Sequence, residues 1–425
     1  MRKGKYLFMM IVSMAIVLSC NDGTKGPQTA TQTSPEKVTA QDILGNPDFM
    51  AISYGGYRKG TRDVQPRVSE IKEDLRMMHA MGIRILRTYN VQLDHAPNVL
   101  KAISELKTDD PSFTMYVMLG AWIDCLDAWT AEPHHEAESP ENAGEIARAV
   151  ALAQQYPDIV KILAVGNEAM VKWAGAYYVQ PDVILKWVNH LQGLKQNGSL
   201  DADLWITSSD NFASWGGGDA LYHVAALNEL ITAVDYLSVH TYPMHDTHYN
   251  PDFWGVFGHE NEQPKLDQID AAMQRAQQYA QAQVDSVKKY VKSIGLDKPI
   301  HIGETGWATA SNGFYGATGS RATDEYKEGF YYRLMRDYTR KEGMACFYFE
   351  AFDEIWKDAQ NPEGSENHFG LFTIDGKAKY ALWELVDQGV FNDLGRDGKP
   401  VSKTYNGDKA ALVKEVQSPP KKGKK

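Results

Sequence analysis

Short apolar runs alternate with longer stretches of helical period over most of the chain. The runs begin near Phe49, Ile83, Phe113, Ile159, Leu204, Val234, Pro299 and Ala345. Between them the apolar positions change spacing. One stretch places Val68, Ile71, Leu75 and Met78 on one helix face. Another does so with Val183, Ile184, Trp187, Val188, Leu191 and Leu194, and a third with Ile269, Met273, Ala276, Ala280, Val284 and Val287. Intervals of three and four residues are the signature of an amphipathic helix. Strand-like runs separated by helices predict parallel βαβ units. Eight such units predict an α/β fold of the (β/α)8 TIM-barrel type, a single domain over residues 46–407. The competing architecture is a doubly wound open sheet. It usually carries a glycine-rich phosphate turn, and neither GxGxxG nor GxxxxGK followed by Ser or Thr occurs here. Gly216-Gly217-Gly218 follows the fifth run without a neighbouring Lys or Arg, and reads as a loop hinge.

The two ends depart from this pattern. Arg2, Lys3 and Lys5 precede an apolar run from Tyr6 to Leu18, broken by Ser13. That run is too short to span a bilayer as a mature helix and suits the apolar region of a signal peptide. It ends in Val17-Leu18-Ser19-Cys20, which resembles a bacterial lipobox. Residues 1–19 are therefore expected to be a lipoprotein signal peptide, with lipidation at Cys20. The expected location is exported and anchored to a membrane, on the periplasmic face or the cell surface. Plain secretion, with Cys20 a stray thiol, is the alternative. Residues 20–45 read as a flexible tether, because Thr, Gln, Gly, Ser and Pro dominate and no apolar period appears. Residues 408–425 read as a basic disordered tail ending in Lys421, Lys422, Lys424 and Lys425.

Charge and composition narrow the partners. Of the 44 basic residues, three lie in the first 19 residues and four in the last five, which hold no acid, so the remainder carries 37 against 55 acidic side chains. A body that acidic is a poor host for nucleic acid or any polyanion, whereas a neutral ligand meets no repulsion. Aromatics make up 11% of the chain, with 10 Trp and 22 Tyr, enough for both a core and a stacking surface. After Cys20 only Cys125 and Cys346 remain, and two free, buried thiols are expected rather than a disulfide scaffold. His240, His245, Asp246 and His248 cluster loosely in a loop, but their spacing is not that of a metal site. No metal and no cofactor are expected, and a monomer is the default.

In a barrel of this kind the chemistry lies at the C-terminal ends of the strands. Those ends read Arg87-Thr88-Tyr89-Asn90, Gly120-Ala121-Trp122, Val165-Gly166-Asn167-Glu168, Ser208-Ser209-Asp210-Asn211, His240-Thr241-Tyr242-Pro243, Gly303-Glu304-Thr305-Gly306-Trp307 and Phe349-Glu350-Ala351-Phe352-Asp353-Glu354. The set is dense in acids, amides and aromatics. It suits cleavage between sugars, where rings stack on sugar faces, polar groups bond hydroxyls and two carboxylates share the acid/base work. Glu168 and Glu304 follow the fourth and seventh runs directly, and those strands face each other across a closed barrel.

The Asn-Glu ending the fourth run and the Glu ending the seventh resemble glycoside hydrolase clan A. More narrowly, Val165-Gly166-Asn167-Glu168 and Gly303-Glu304-Thr305-Gly306-Trp307 resemble the signatures of glycoside hydrolase family 17, the β-1,3-glucanases. Phe352-Asp353-Glu354, Lys357, Glu366 and Phe369-Gly370-Leu371-Phe372 resemble its third block, and Arg87-Thr88-Tyr89 and Tyr242-Pro243 agree with it. The resemblance spans roughly Ala51 to Leu385. The chain departs from plant members in long insertions after the third and sixth runs, both bordering the cleft.

The resemblance implies a catalytic domain acting on a neutral β-glucan, as a retaining endo-β-1,3-glucanase on laminarin-like chains or as a β-1,3-glucanosyltransferase. A non-catalytic glycan-binding lipoprotein is the reading from another class. The resemblance further implies Glu304 as nucleophile and Glu168 as general acid and then base, with carboxyl groups about 5 to 5.5 Å apart. Tyr242 is expected to donate to Glu304, and Asn167 to bond the sugar 2-hydroxyl. Glu354 and Lys357 are expected to pair and orient the pocket. Tyr89, Trp122, Trp307 and Trp356 are the candidate sugar platforms.

Overall fold

The computed structural model describes residues 37–422. Cys20, the signal-peptide reading and most of the tether reading lie outside those residues. Eight parallel strands close a barrel: β1 (Met50–Ser53), β2 (Ile83–Arg87), β3 (Tyr116–Ala121), β6 (Val160–Asn167), β7 (Trp205–Asn211), β8 (Leu237–His240), β9 (Ile300–Gly306) and β10 (Cys346–Phe349). β4 (Cys125–Leu126) and β5 (His134–Glu138) form a separate antiparallel hairpin in the insertion after β3. β1 pairs with both β2 and β10, which closes the ring. The (β/α)8 expectation therefore holds, and each barrel strand begins within a few residues of an apolar run in the sequence.

The helices form where the sequence changes from period two to period 3.6. Ile71, Leu75 and Met78 are buried on the helix Val68–Ala80, and Ile269, Met273, Ala276, Ala280, Val284 and Val287 line the buried face of Lys265–Ser293. Among the described residues no helix is long and apolar enough to cross a membrane. Cys125 and Cys346 are free and buried, as expected.

Both terminal readings need correction. The tether reading to residue 45 runs too far. Thr39 caps a single helical turn, Ala40–Ile43, and Ala40, Ile43 and Leu44 pack into the lower end of the barrel with Ile85, Met118, Ile162, Tyr236 and Phe347. One turn is too short to show a period, so the sequence pattern could not reveal it. The tail is likewise ordered through residue 422. Asp408 accepts from the amides of Ala410 and Ala411 to cap the helix Lys409–Glu415, and Leu412 and Val416, four apart, are buried. Beyond it Val256 donates to the Pro420 carbonyl and Lys422 donates to that of Val256, each at 2.9 Å. The folded unit therefore extends past the expected 46–407 boundaries at both ends.

The glycine run after β7 is a packing device rather than a hinge. Gly216 has φ +86°, and a Cβ there would sit 2.1 Å from the Tyr290 ring on the long helix.

Candidate active site

Backbone bonds between neighbouring strand ends set the floor of the site. Glu168 donates its amide to the Ser209 carbonyl, Phe212 to His240, and Thr241 to Glu304. His240 on β8 stands in register with Glu304 on β9. Gly166 (φ +81°) and Glu168 (φ +47°) both take left-handed backbone, so the chain turns sharply out of β6. That conformation costs a non-glycine residue free energy and is concentrated at functional sites.

Glu304 is buried and surrounded by donors. One oxygen, Oε2, accepts from the Arg87 guanidinium and from the Tyr89 hydroxyl at 2.9 Å. The other, Oε1, accepts from the Tyr242 hydroxyl at 2.6 Å. Burial alone would raise its pKa. The positive field of His240 and Arg87, with the two hydroxyls, overrides that and holds it down at about 2. Burial also pushes His240 down to about 4, so the permanent cation near neutral pH is Arg87. Arg87 is itself 1% exposed, and its second amino group reaches Asn167 Oδ1 at 2.5 Å.

Glu168 meets the opposite environment. Its Oε1 lies 3.1 Å from His240 Nδ1, and among the described residues no Arg or Lys forms an ion pair with it. Burial first, then the negative charge of Glu304, pushes its pKa up to about 8. His240 is fixed from behind, with Nε2 at 2.8 Å from Ser209 Oγ. One carboxylate held ionised beside one held protonated is the division of labour that glycosidic cleavage requires.

Above Glu304 opens a cleft of about 700 Å³; Glu168 does not line it and joins the site through His240 and the field of Glu304. Tyr89, Asn167, Glu304, Trp122, Glu354, Trp356 and Lys357 all line it, so most of the residues expected from sequence come together. Tyr242 joins them through Glu304. Glu354 accepts from the Tyr57 amide at 3.0 Å and from the Trp356 indole at 2.9 Å. Gly55 is required beside it, since a Cβ there would lie 2.2 Å from Glu354 Oε1. The expected Glu354–Lys357 pair is the looser of two contacts, at 3.6 Å. Lys357 bonds Glu350 more closely, and Glu350 was not expected as a partner. Trp356 carries the Arg62 guanidinium 4.5 Å from its ring centroid.

Trp307 is a correction. It is fully buried, does not line the cleft, packs against Trp254 and Tyr331, and donates its indole N–H to the Ala322 carbonyl at 2.7 Å. It follows Gly306 at the strand end, where the side chain turns into the layer behind the barrel wall. Tyr89 does line the cleft, but its hydroxyl is committed to Glu304. The loose His/Asp cluster also disperses. His245 bonds the Tyr315 hydroxyl, Asp246 accepts from Asn250, and His248 stacks on Phe314.

Sequence reasoning passed over Arg87, His240 and Glu350 as site residues, although all three stand in the strand-end segments. Arg87 had a usable signal. It shares the alternation of Ile83 and Ile85, so it faces inward, and an inward charge demands a partner. The cleft wall also holds two buried polar atoms without partners, His95 Nε2 and Asn90 Oδ1. Such atoms are unusual in a folded interior and suit a wall that waits for hydroxyls.

Comparison with known proteins agrees with this geometry. A solved endo-laminarinase from Formosa Hel1_33_131 is 67% identical, superimposes with a TM-score of 0.91, and is matched over 91% of this chain and 99% of that one. A glucan 1,3-beta-glucosidase of Arthroderma benhamiae is 26% identical over 274 residues, 62% of this chain and 70% of the relative. A Rhizomucor miehei beta-1,3-glucanosyltransferase, solved with laminaritriose, shares the fold at 20% identity and a TM-score of 0.54. The BtgE/BtgC glycoside hydrolase domain matches residues 51–370. That span contains both carboxylates, both insertions, the first two sequence blocks and the third as far as Gly370, and the chain belongs to the BtgE/BtgC glycoside hydrolase family.

Proposed function

We propose that the protein is an endo-β-1,3-glucanase that hydrolyses laminarin-like glucan with retention of anomeric configuration. The observation that carries this reading is the opposed state of two neighbouring carboxyls, Glu304 ionised by Arg87, Tyr89 and Tyr242, and Glu168 kept protonated by burial and by the charge of Glu304. High identity to a laminarinase over nearly its whole length supports the β-1,3-glucan assignment. The acidic body suits a neutral chain.

In the first step Glu304 attacks the anomeric carbon while Glu168 gives its proton to the glycosidic oxygen. The C–O bond to the leaving chain breaks and an ester to Glu304 forms. Esterification removes the charge that raised the Glu168 pKa, so Glu168, now ionised, becomes the base. It takes a proton from water as the oxygen of that water attacks the anomeric carbon, and Glu304 leaves as carboxylate. Asn167, whose Oδ1 accepts from Arg87, bonds the sugar 2-hydroxyl in this reading. Incubation with laminarin should release reducing oligosaccharides whose new ends are initially β by NMR. Inactivity across β-1,3-glucans would sink the reading, and α products would sink the retaining mechanism. Products longer than a defined oligosaccharide substrate would instead report transfer to sugar.

The N-terminal reading belongs to this proposal as well. Cys20 carries lipid on the exported, monomeric enzyme, and replacing Cys20 by Ala should abolish incorporation of a labelled fatty acid and release the protein from membranes. Continued labelling of that variant would refute it.

A further inference from the structure

The hairpin insertion after β3 carries a feature that the hydrolytic pair does not use. Trp129 is 61% exposed, yet its backbone is left-handed at φ +65°. Neither fact helps the fold. An exposed indole contributes little burial, and a left-handed backbone costs free energy for any residue other than glycine. Asp127, two residues earlier, is left-handed as well. The turn is nevertheless firmly held. The Trp129 amide donates to Ala176 at 2.8 Å, and the Cys125 amide donates to Tyr177 at 3.1 Å, which ties the hairpin to the segment after β6.

The ring is held as carefully as the backbone. It stacks on Tyr177 at 4.9 Å and 21°, and lies near-parallel to Trp122 at 6.5 Å and 29°. Trp122 is fixed in turn by its indole bond to Asp124 at 2.6 Å, and the Trp129 side chain bonds the same carboxylate. Trp129 lines the same cleft as Glu304. Glu304 is 8% exposed and Trp129 is 61% exposed, so the carboxylate lies at the cleft floor and the indole at its mouth.

From this we infer that Trp129, backed by Tyr177, is a stacking subsite for a glucosyl unit other than the one at Glu304, and sets the length of β-1,3-glucan that the enzyme grips. A pre-oriented, exposed ring gains contact with the apolar face of a sugar without paying ordering entropy at binding. Binding energy from such a remote unit raises turnover of long chains above that of short ones. The inference rests on the glucanase reading above.

The test compares the enzyme with Trp129→Gly and Trp129→Phe on laminari-oligosaccharides of increasing length and on laminarin. Glycine accepts the left-handed backbone, so Tm should stay within about 2 °C. For Trp129→Gly, kcat/KM on the longest oligosaccharide, divided by that on the shortest one cleaved, should fall about tenfold. Trp129→Phe, which keeps a flat ring, should recover most of that ratio. An unchanged ratio, an equal loss at every length, or a Trp129→Gly protein that loses Tm without losing length dependence overturns the inference. Inactivity of the unaltered enzyme on every length would instead strike the glucanase reading itself, and this inference with it.

Discussion

The two ends of the barrel are built from the same strands and have opposite chemistry. At the closed end β2 contributes Ile85 and β6 contributes Ile162 and Ala164, packed with Met118 and Phe347 against the plug of Ala40 and Ile43. At the open end β2 contributes Arg87, β6 Asn167, β8 His240 and β9 Glu304. Arg87 and His240 are as deeply buried as the plug, although a cleft opens above them. The difference lies in how burial is compensated. Apolar groups need only close packing, whereas buried charges need partners aimed at them. The closed end therefore stabilises the fold, and the open end uses that rigidity to hold charges that would otherwise relax.

Three measurements would break or sharpen this contrast. The largest effect is expected at the open end. Glu304→Gln keeps the shape but removes the charge, and kcat should fall by about 10⁴ or more. A fall below tenfold, with Tm preserved, would remove Glu304 from the reaction. Next comes the closed end. Ile43→Ala should destabilise by about 2 to 4 kcal/mol through loss of packing, while kcat stays unchanged. A change in kcat as large as the loss of stability would show that the two ends are coupled.

The smallest effect is the pH profile. The proposed mechanism uses Glu304 ionised, and its depressed pKa of about 2 leaves it charged throughout the ordinary range. The same mechanism uses Glu168 protonated in the free enzyme, and its raised pKa of about 8 keeps the proton until the solution turns alkaline. The profile of kcat/KM should therefore be flat from mildly acidic to neutral pH and fall about tenfold per unit above the Glu168 pKa. A fall that instead begins near pH 5 on the alkaline side would mean that Glu168 carries an ordinary carboxyl pKa.

What was legible in the sequence follows the same division. The eight runs and Glu168 and Glu304 at their ends could be read directly, because strand period and strand-end position are local properties. Trp307 could not be placed. A tryptophan after a strand end belongs to the cleft or to the layer behind it according to which way one side chain turns, and here Trp254 and Tyr331 receive it. The short plug at Ala40–Ile43 and the C-terminal helix were missed for a related reason. Their few apolar residues acquire meaning only against a surface formed by distant strands.

The sequence by itself determined the barrel, the family resemblance and the two opposed carboxylates, since each rests on periodicity or on short contiguous motifs. Tertiary structure alone decided the protonation states that separate those carboxylates. Arg87 lies 217 positions from Glu304 along the chain, and His240 lies 72 from Glu168. A pKa is set by the field of whatever the fold brings within a few ångströms, and no local pattern carries that information.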